Sequence, residues 1–169
     1  MKGEEFWTKF KILAQELSNM LKLKSEARKA MLESPLPDVL YHATSPVDVQ
    51  RIQESKIIKP GFSEREEDRH RLFFSDSVAY SIHVVMQTKK IHPREIKFFK
   101  LRTSGLPRGD FLSMLEFEGK NGEPTHEVAY EGLGIPIDNL ELMSDEEVRT
   151  QFQCEAELLE EEEKSKSKS

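Results

Sequence analysis

One cysteine, Cys154, is all that 169 residues contain. An internal disulfide and any zinc site built on several cysteines are thereby excluded, and the chain suits a reducing compartment. The histidines do not make up the lack: His70, His83, His92 and His126 show no metal-ligand spacing with one another or with Cys154, so no metal is expected. Long apolar runs are missing as well. No stretch approaches the roughly 20 residues of a membrane-crossing helix. The first residues carry Glu4, Glu5 and lysines where an export signal needs a continuous apolar segment. A soluble protein acting in the cytoplasm, its own or a host cell's, is the expectation, with no membrane partner. Positive charge is in the minority: 25 basic against 31 acidic side chains leave a formal charge of -6. That speaks against general nucleic-acid binding, which needs clustered positive charge. No internal repeat is visible, and the length fits one globular domain.

What is there begins with an amphipathic pattern. Phe6, Phe10, Leu13, Leu17 and Met20 recur at alternating spacings of four and three, which predicts one or two helices before Pro35 and Pro37. This arm, residues 1–34, either packs its apolar stripe on a core or offers it to a protein partner. A second unit follows over residues 35–154. Ser45-Pro46-Val47-Asp48 is a capping box with proline at the first helical position, so a short helix runs from there to about Lys56 with Val49 and Ile52 inward. Ile57-Ile58 is a short extended piece, and the polar stretch 63–71 reads as an exposed loop. Ser75 or Asp76 caps a helix whose apolar face is Val78, Ile82, Val85 and Met86. Residues 96–102 and 111–117 read as strands, 120–124 as a turn, 132–136 as a loop and 140–143 as a last strand. Ser144-Asp145-Glu146-Glu147 caps a closing helix carrying Val148 and Phe152. The charge block and Lys-Ser repeat within residues 155–169 predict a disordered tail from Glu160 on.

Three segments in a fixed order carry the chemistry: Val39-Leu40-Tyr41-His42-Ala43-Thr44, then Leu72-Phe73-Phe74-Ser75-Asp76, then Thr125-His126-Glu127-Val128-Ala129-Tyr130. Each reads as a strand beginning or ending in a polar group. A histidine and a glutamate on separate strands of one sheet are expected to face each other across a cleft, an arrangement suited to holding a nucleotide and stabilising developing positive charge. Taken singly, each has a plainer reading: Glu127 as a solvated strand end, His42 as a core histidine, Phe73 and Phe74 as packing. Arg65, Arg69 and Arg71 are a solvated loop cluster, or a contact for a pyrophosphate or nucleic acid.

Together the segments resemble the three motifs of the ADP-ribosyltransferase superfamily in its histidine-containing branch, the diphtheria-toxin-like enzymes and poly-ADP-ribose polymerases. Tyr41-His42-Ala43-Thr44 resembles the first motif, Phe73-Phe74-Ser75 with Ser81 in the following helix the second, and His126-Glu127-Val128-Ala129-Tyr130 the third. The resemblance spans roughly residues 38–143. It implies an α+β fold with split, mainly antiparallel sheets around a central cleft, and NAD as substrate. It further implies transfer of ADP-ribose to a macromolecular acceptor, protein or nucleic acid, by a small toxin or effector enzyme. Glu127 would hydrogen-bond the ribose 2′-hydroxyl and stabilise an oxocarbenium-like transition state, and His42 would bind ribose. Tyr41, Ala43, Thr44, Phe73, Ser75 and Ser81 would line the NAD site. Phe73 stands where the branch usually has tyrosine, Val84 where it has a second stacking aromatic, and Thr125 where arginine-modifying relatives carry Gln or Glu, which makes arginine a poor acceptor. Two alternatives stay open: an NAD-dependent RNA 2′-phosphotransferase, though Tyr41 replaces the arginine expected before His42, and a catalytically silent interaction module.

Overall fold

Pro35 and Pro37 follow directly on the first helix, α1, which runs without interruption over Lys2–Glu33. The computed structural model describes residues 2–60, 71–88, 90–115 and 125–167. The chain divides into two units, Met1–Ser34 and Pro35–Ser169. In the first, Glu4 and Glu5 sit in the opening turn, where negative charge complements the helix dipole. Phe6, Trp7 and Phe10 form a ring cluster with centroids 5.7 to 6.5 Å apart. The stripe that they begin, through Leu13, Leu17 and Met20, is exposed.

The second unit is α+β. Strand β1 (Val39–Thr44) ends at Ser45, whose hydroxyl accepts the Asp48 N–H at 3.2 Å and so caps α2 (Pro46–Ser55). Lys56 closes α2 in the left-handed conformation, its N–H on the Ile52 carbonyl at 2.8 Å. The following β2 (Ile57–Ile58) pairs antiparallel with β7 (Ile135–Pro136). The sequence reads as a loop at 132–136; Ile135 leaves it because Gly134, without a side chain, lies against Ile57 and lets the two pieces close on each other.

The main sheet adds β3 (Leu72–Ser75), β4 (Lys97–Arg102), β5 (Phe111–Ser113), β6 (Glu127–Tyr130) and β8 (Leu140–Leu142) in the order β5-β6-β3-β1-β4-β8, with every pair antiparallel. Alternation along the strands sorts the core into two layers. Leu40, Phe74, Phe99, Leu101, Phe111, Val128 and Tyr130 face α2 and the small sheet, whose Val49, Ile52, Ile58 and Ile135 are buried against them. Tyr41, Ala43 and Phe98 face the other way, against Val78 and Val85 of α3 (Val78–Thr88) and against Met143. Each fully buried Phe or Leu contributes on the order of 1.5 to 3 kcal/mol relative to exposure, so the six strands are held mainly from their two faces.

Two helix ends depart from expectation. The α3 cap is neither Ser75 nor Asp76: Ser77 accepts the Tyr80 N–H at 3.1 Å, while Ser75 accepts that of Ser77 at 3.0 Å. The final helix, α4 (Asp145–Ser167), starts with the expected reciprocal box, Ser144 on the Glu147 N–H at 3.1 Å and Glu147 on that of Ser144 at 3.2 Å. It continues to Ser167 in place of the expected disordered tail. Glu160 with Lys164 and Glu162 with Lys166 stand four residues apart, the spacing that supports a solvated helix. Met86, expected inward on α3, is exposed. The loop expected at 63–71 falls outside the described residues except for Arg71, as do the turn at 120–124 and the end of the strand expected to reach 117. Among the described residues no helix is long and apolar enough to cross a membrane, and none of them form a group able to hold a metal ion.

Candidate active site

The three motif strands are neighbours, with β3 between β1 and β6. Their register fixes which side chains share a face. Tyr41 is opposite Ser75, and Ser75 opposite Glu127, so these three form one cross-strand row on the side covered by α3. His42 is one residue further along β1. Alternation therefore turns it to the other face, where its ring stands 5.4 Å from that of Phe74. The expected arrangement, His42 and Glu127 facing each other in one groove, is not what the register gives; Tyr41 is the β1 residue in the cross-strand row of Glu127.

The junction of β1 and β3 is where the sheet is least joined. β1 pairs with β4 over six positions and β3 with β6 over four, but β1 and β3 pair only at Tyr41 and Ser75. Beyond that point the His42 imidazole Nδ1 meets the Phe73 carbonyl at 2.9 Å. A side chain thus satisfies a main-chain acceptor that a continuous ladder would give to backbone, and the two strands separate around it.

On the α3 side, Glu127 sits half-buried at the start of β6. The Tyr80 hydroxyl donates to its carboxylate; burial first, and then the charge and hydrogen bond of Glu127, raise the Tyr80 pKa above 10.0. The neighbouring His126 contacts the same ring, with centroids 5.3 Å apart, and its Nδ1 lies 2.9 Å from Asp76 Oδ1. Four polar side chains, Asp76, His126, Tyr80 and Glu127, are therefore linked in one cluster at the junction of β3, α3 and β6. Of these only Glu127 stands out in the sequence. Asp76 reads there as a helix cap, and the signal that was present is its place between a strand and a helix, together with a histidine next to the candidate acid in the third motif.

The remaining motif residues serve the fold more than an open surface. Tyr41, Ala43, Thr44, Ser75 and Ser81 are buried, and Phe73 is half-buried. The Thr44 hydroxyl lies 3.4 Å from Asp48, and Ser81 donates to the Ser77 carbonyl at 2.9 Å. Glu155 of α4 takes the N-terminus of α3, accepting from Ser77 Oγ at 2.5 Å, Val78 N at 3.0 Å and Ala79 N at 3.2 Å. Burial and, second, the Glu155 charge raise the Tyr41 pKa. Arg71 forms an ion pair with Glu131 at 3.0 Å, while Arg65 and Arg69 lie outside the described residues. Two surface hollows, of about 350 and 310 Å³, lie beside the start of α4 and are lined by Lys100, Lys97, Met143 and their neighbours, not by the motif residues. No protein-family model, no curated protein and no solved structure matches this chain.

Proposed function

We propose that this chain is an ADP-ribosyltransferase that cleaves NAD at the nicotinamide–ribose bond and passes ADP-ribose to a macromolecular acceptor, protein or nucleic acid. The observation that carries this reading is Glu127 itself: a half-buried carboxylate at a strand start, in one row with Ser75 and Tyr41 and held by the Tyr80 hydroxyl. A fixed carboxylate beside the anomeric carbon stabilises the oxocarbenium-like charge of glycosyl transfer, and preorganised charge is usually the largest catalytic contribution. His42 enters this reading at the parting of β1 and β3. Its Nδ1 is anchored on Phe73, and Nε2 would meet a ribose hydroxyl, so the dinucleotide would span the sheet at that parting. The cytoplasm, its own or a host's, is the compartment that supplies the NAD.

The test is release of nicotinamide from NAD by the pure protein. Glu127→Gln keeps the shape and removes the charge, and is expected to lower that release by about 100-fold or more with the urea midpoint unchanged. Release by the variant at the wild-type rate overturns the assignment of Glu127.

A second reading, a binding module without chemistry, is favoured by the burial of Tyr41, Thr44, Ser75 and Ser81, which places four of the proposed NAD contacts inside the core. It predicts no nicotinamide release by the wild type in the presence of any acceptor, and calorimetry then reports whether NAD binds.

A further inference from the structure

The Asp76–His126 pair has no part in the reading above, and its geometry is that of a proton acceptor and its support. The Asp76 carboxylate can only accept, so at 2.9 Å from it Nδ1 of His126 carries a hydrogen, and in the neutral ring Nε2 then carries the lone pair. The ring is part-exposed, 43% for the His126 side chain and 37% for that of Asp76, so a macromolecular acceptor can reach it. Tyr80 ties the pair to the proposed acid: its ring lies 5.3 Å from the His126 ring and its hydroxyl bonds Glu127. Among the described residues, the charged and titratable groups facing the imidazole are Asp76 from the β3–α3 junction, Tyr80 from α3 and Glu127 beside it on β6.

We propose that His126 is the general base that activates the acceptor, with Asp76 as its positioning residue, an inference that rests on the transferase reading of Glu127. As the acceptor oxygen or nitrogen bonds to C1′ of the ribose, its proton passes to Nε2 of His126. The C1′–N bond breaks at the same centre, and nicotinamide leaves as a neutral base with the electron pair of that bond. The imidazolium formed is stabilised by Asp76 through Nδ1–H. Glu127 serves the ribose and His126 the acceptor. That division lets each carboxylate of the cluster keep its charge through the reaction: one faces the developing cation, the other the imidazolium.

The experiment follows hydrolysis of NAD by the full chain, water being the acceptor, as a function of pH. Wild type is expected to show a rate that falls on the acidic side as the base is protonated. His126→Gln removes the proton acceptor and is expected to lower the maximal rate by roughly 100-fold or more and to abolish the acidic fall, with NAD affinity by calorimetry within about twofold. Asp76→Ala is expected to slow the reaction in wild type but to add nothing in the His126→Gln background, the non-additivity of groups acting as a unit. Should His126→Gln fail to fold, His126→Asn answers the same question with a shorter amide. If wild type cleaves NAD and the His126 variants match it in rate and pH profile, the base assignment is overturned while the transferase reading stands. If wild type leaves NAD intact, both fall together.

Discussion

Tyr80 and Tyr41 stand on the same face of the sheet, and each is pressed by burial and by a carboxylate, Glu127 for the first and Glu155 for the second. Both therefore hold their protons above the ordinary value of 10.0 in the folded protein. Below pH 10 both states of the chain keep these protons and the fold has its full stability. Above it the unfolded chain loses them first, so stability falls as pH rises from about 10 towards the folded values. Urea midpoints measured at pH 9 and pH 11 are expected to drop, and Tyr80→Phe is expected to drop by less than wild type; equal drops would show that Tyr80 does not contribute. Little of this was legible in the sequence. Tyr80 and Asp76 are ordinary helix-start residues there, and only the fold brings one under Glu127 and the other onto His126. Glu127 stands out in the sequence only in company with the other two motif segments, as the residue that opens the third strand.

Among the elements, those whose signals are local matched the chain best. Ser45 with Pro46 and Asp48, and Ser144 with Glu147, place α2 and α4 because a cap acts over three residues. Elements that depend on distant partners were not readable. Two residues of β7 carry no period of their own and exist as a strand only through Ile57 and Ile58. The start of α3 is another case, since Glu155, 77 positions beyond Val78, accepts the Val78 and Ala79 amides as well as the Ser77 hydroxyl. It acts as a cap delivered by another helix and ties α4 to α3. Glu155→Ala leaves these donors to water and is expected to cost about 1 to 2 kcal/mol in unfolding free energy. Faster hydrogen exchange at the Val78 and Ala79 amides would accompany it. Exchange at wild-type rates in the variant would mean that Ser77 alone suffices to cap α3.

For the molecule as a whole, the α+β class with mainly antiparallel strands was legible, but not that the motif strands lie side by side, nor which way each side chain points. A shift of one residue along a strand exchanges its faces, and the sequence marks His42 and Glu127 without marking the register between them. The single pairing at Tyr41 and Ser75 decides it. The His42 Nδ1 closes the bond to the Phe73 carbonyl where β1 and β3 part. His42→Ala leaves that carbonyl without its partner, which is expected to cost about 1 to 3 kcal/mol in stability. If the ring also binds NAD, the variant raises KM for NAD several-fold at a temperature where it is fully folded, while Glu127→Gln lowers kcat with KM little changed, the signature of a group acting only in the transition state. A His42→Ala protein that is less stable but has wild-type KM and kcat would make His42 purely a strand-joining residue.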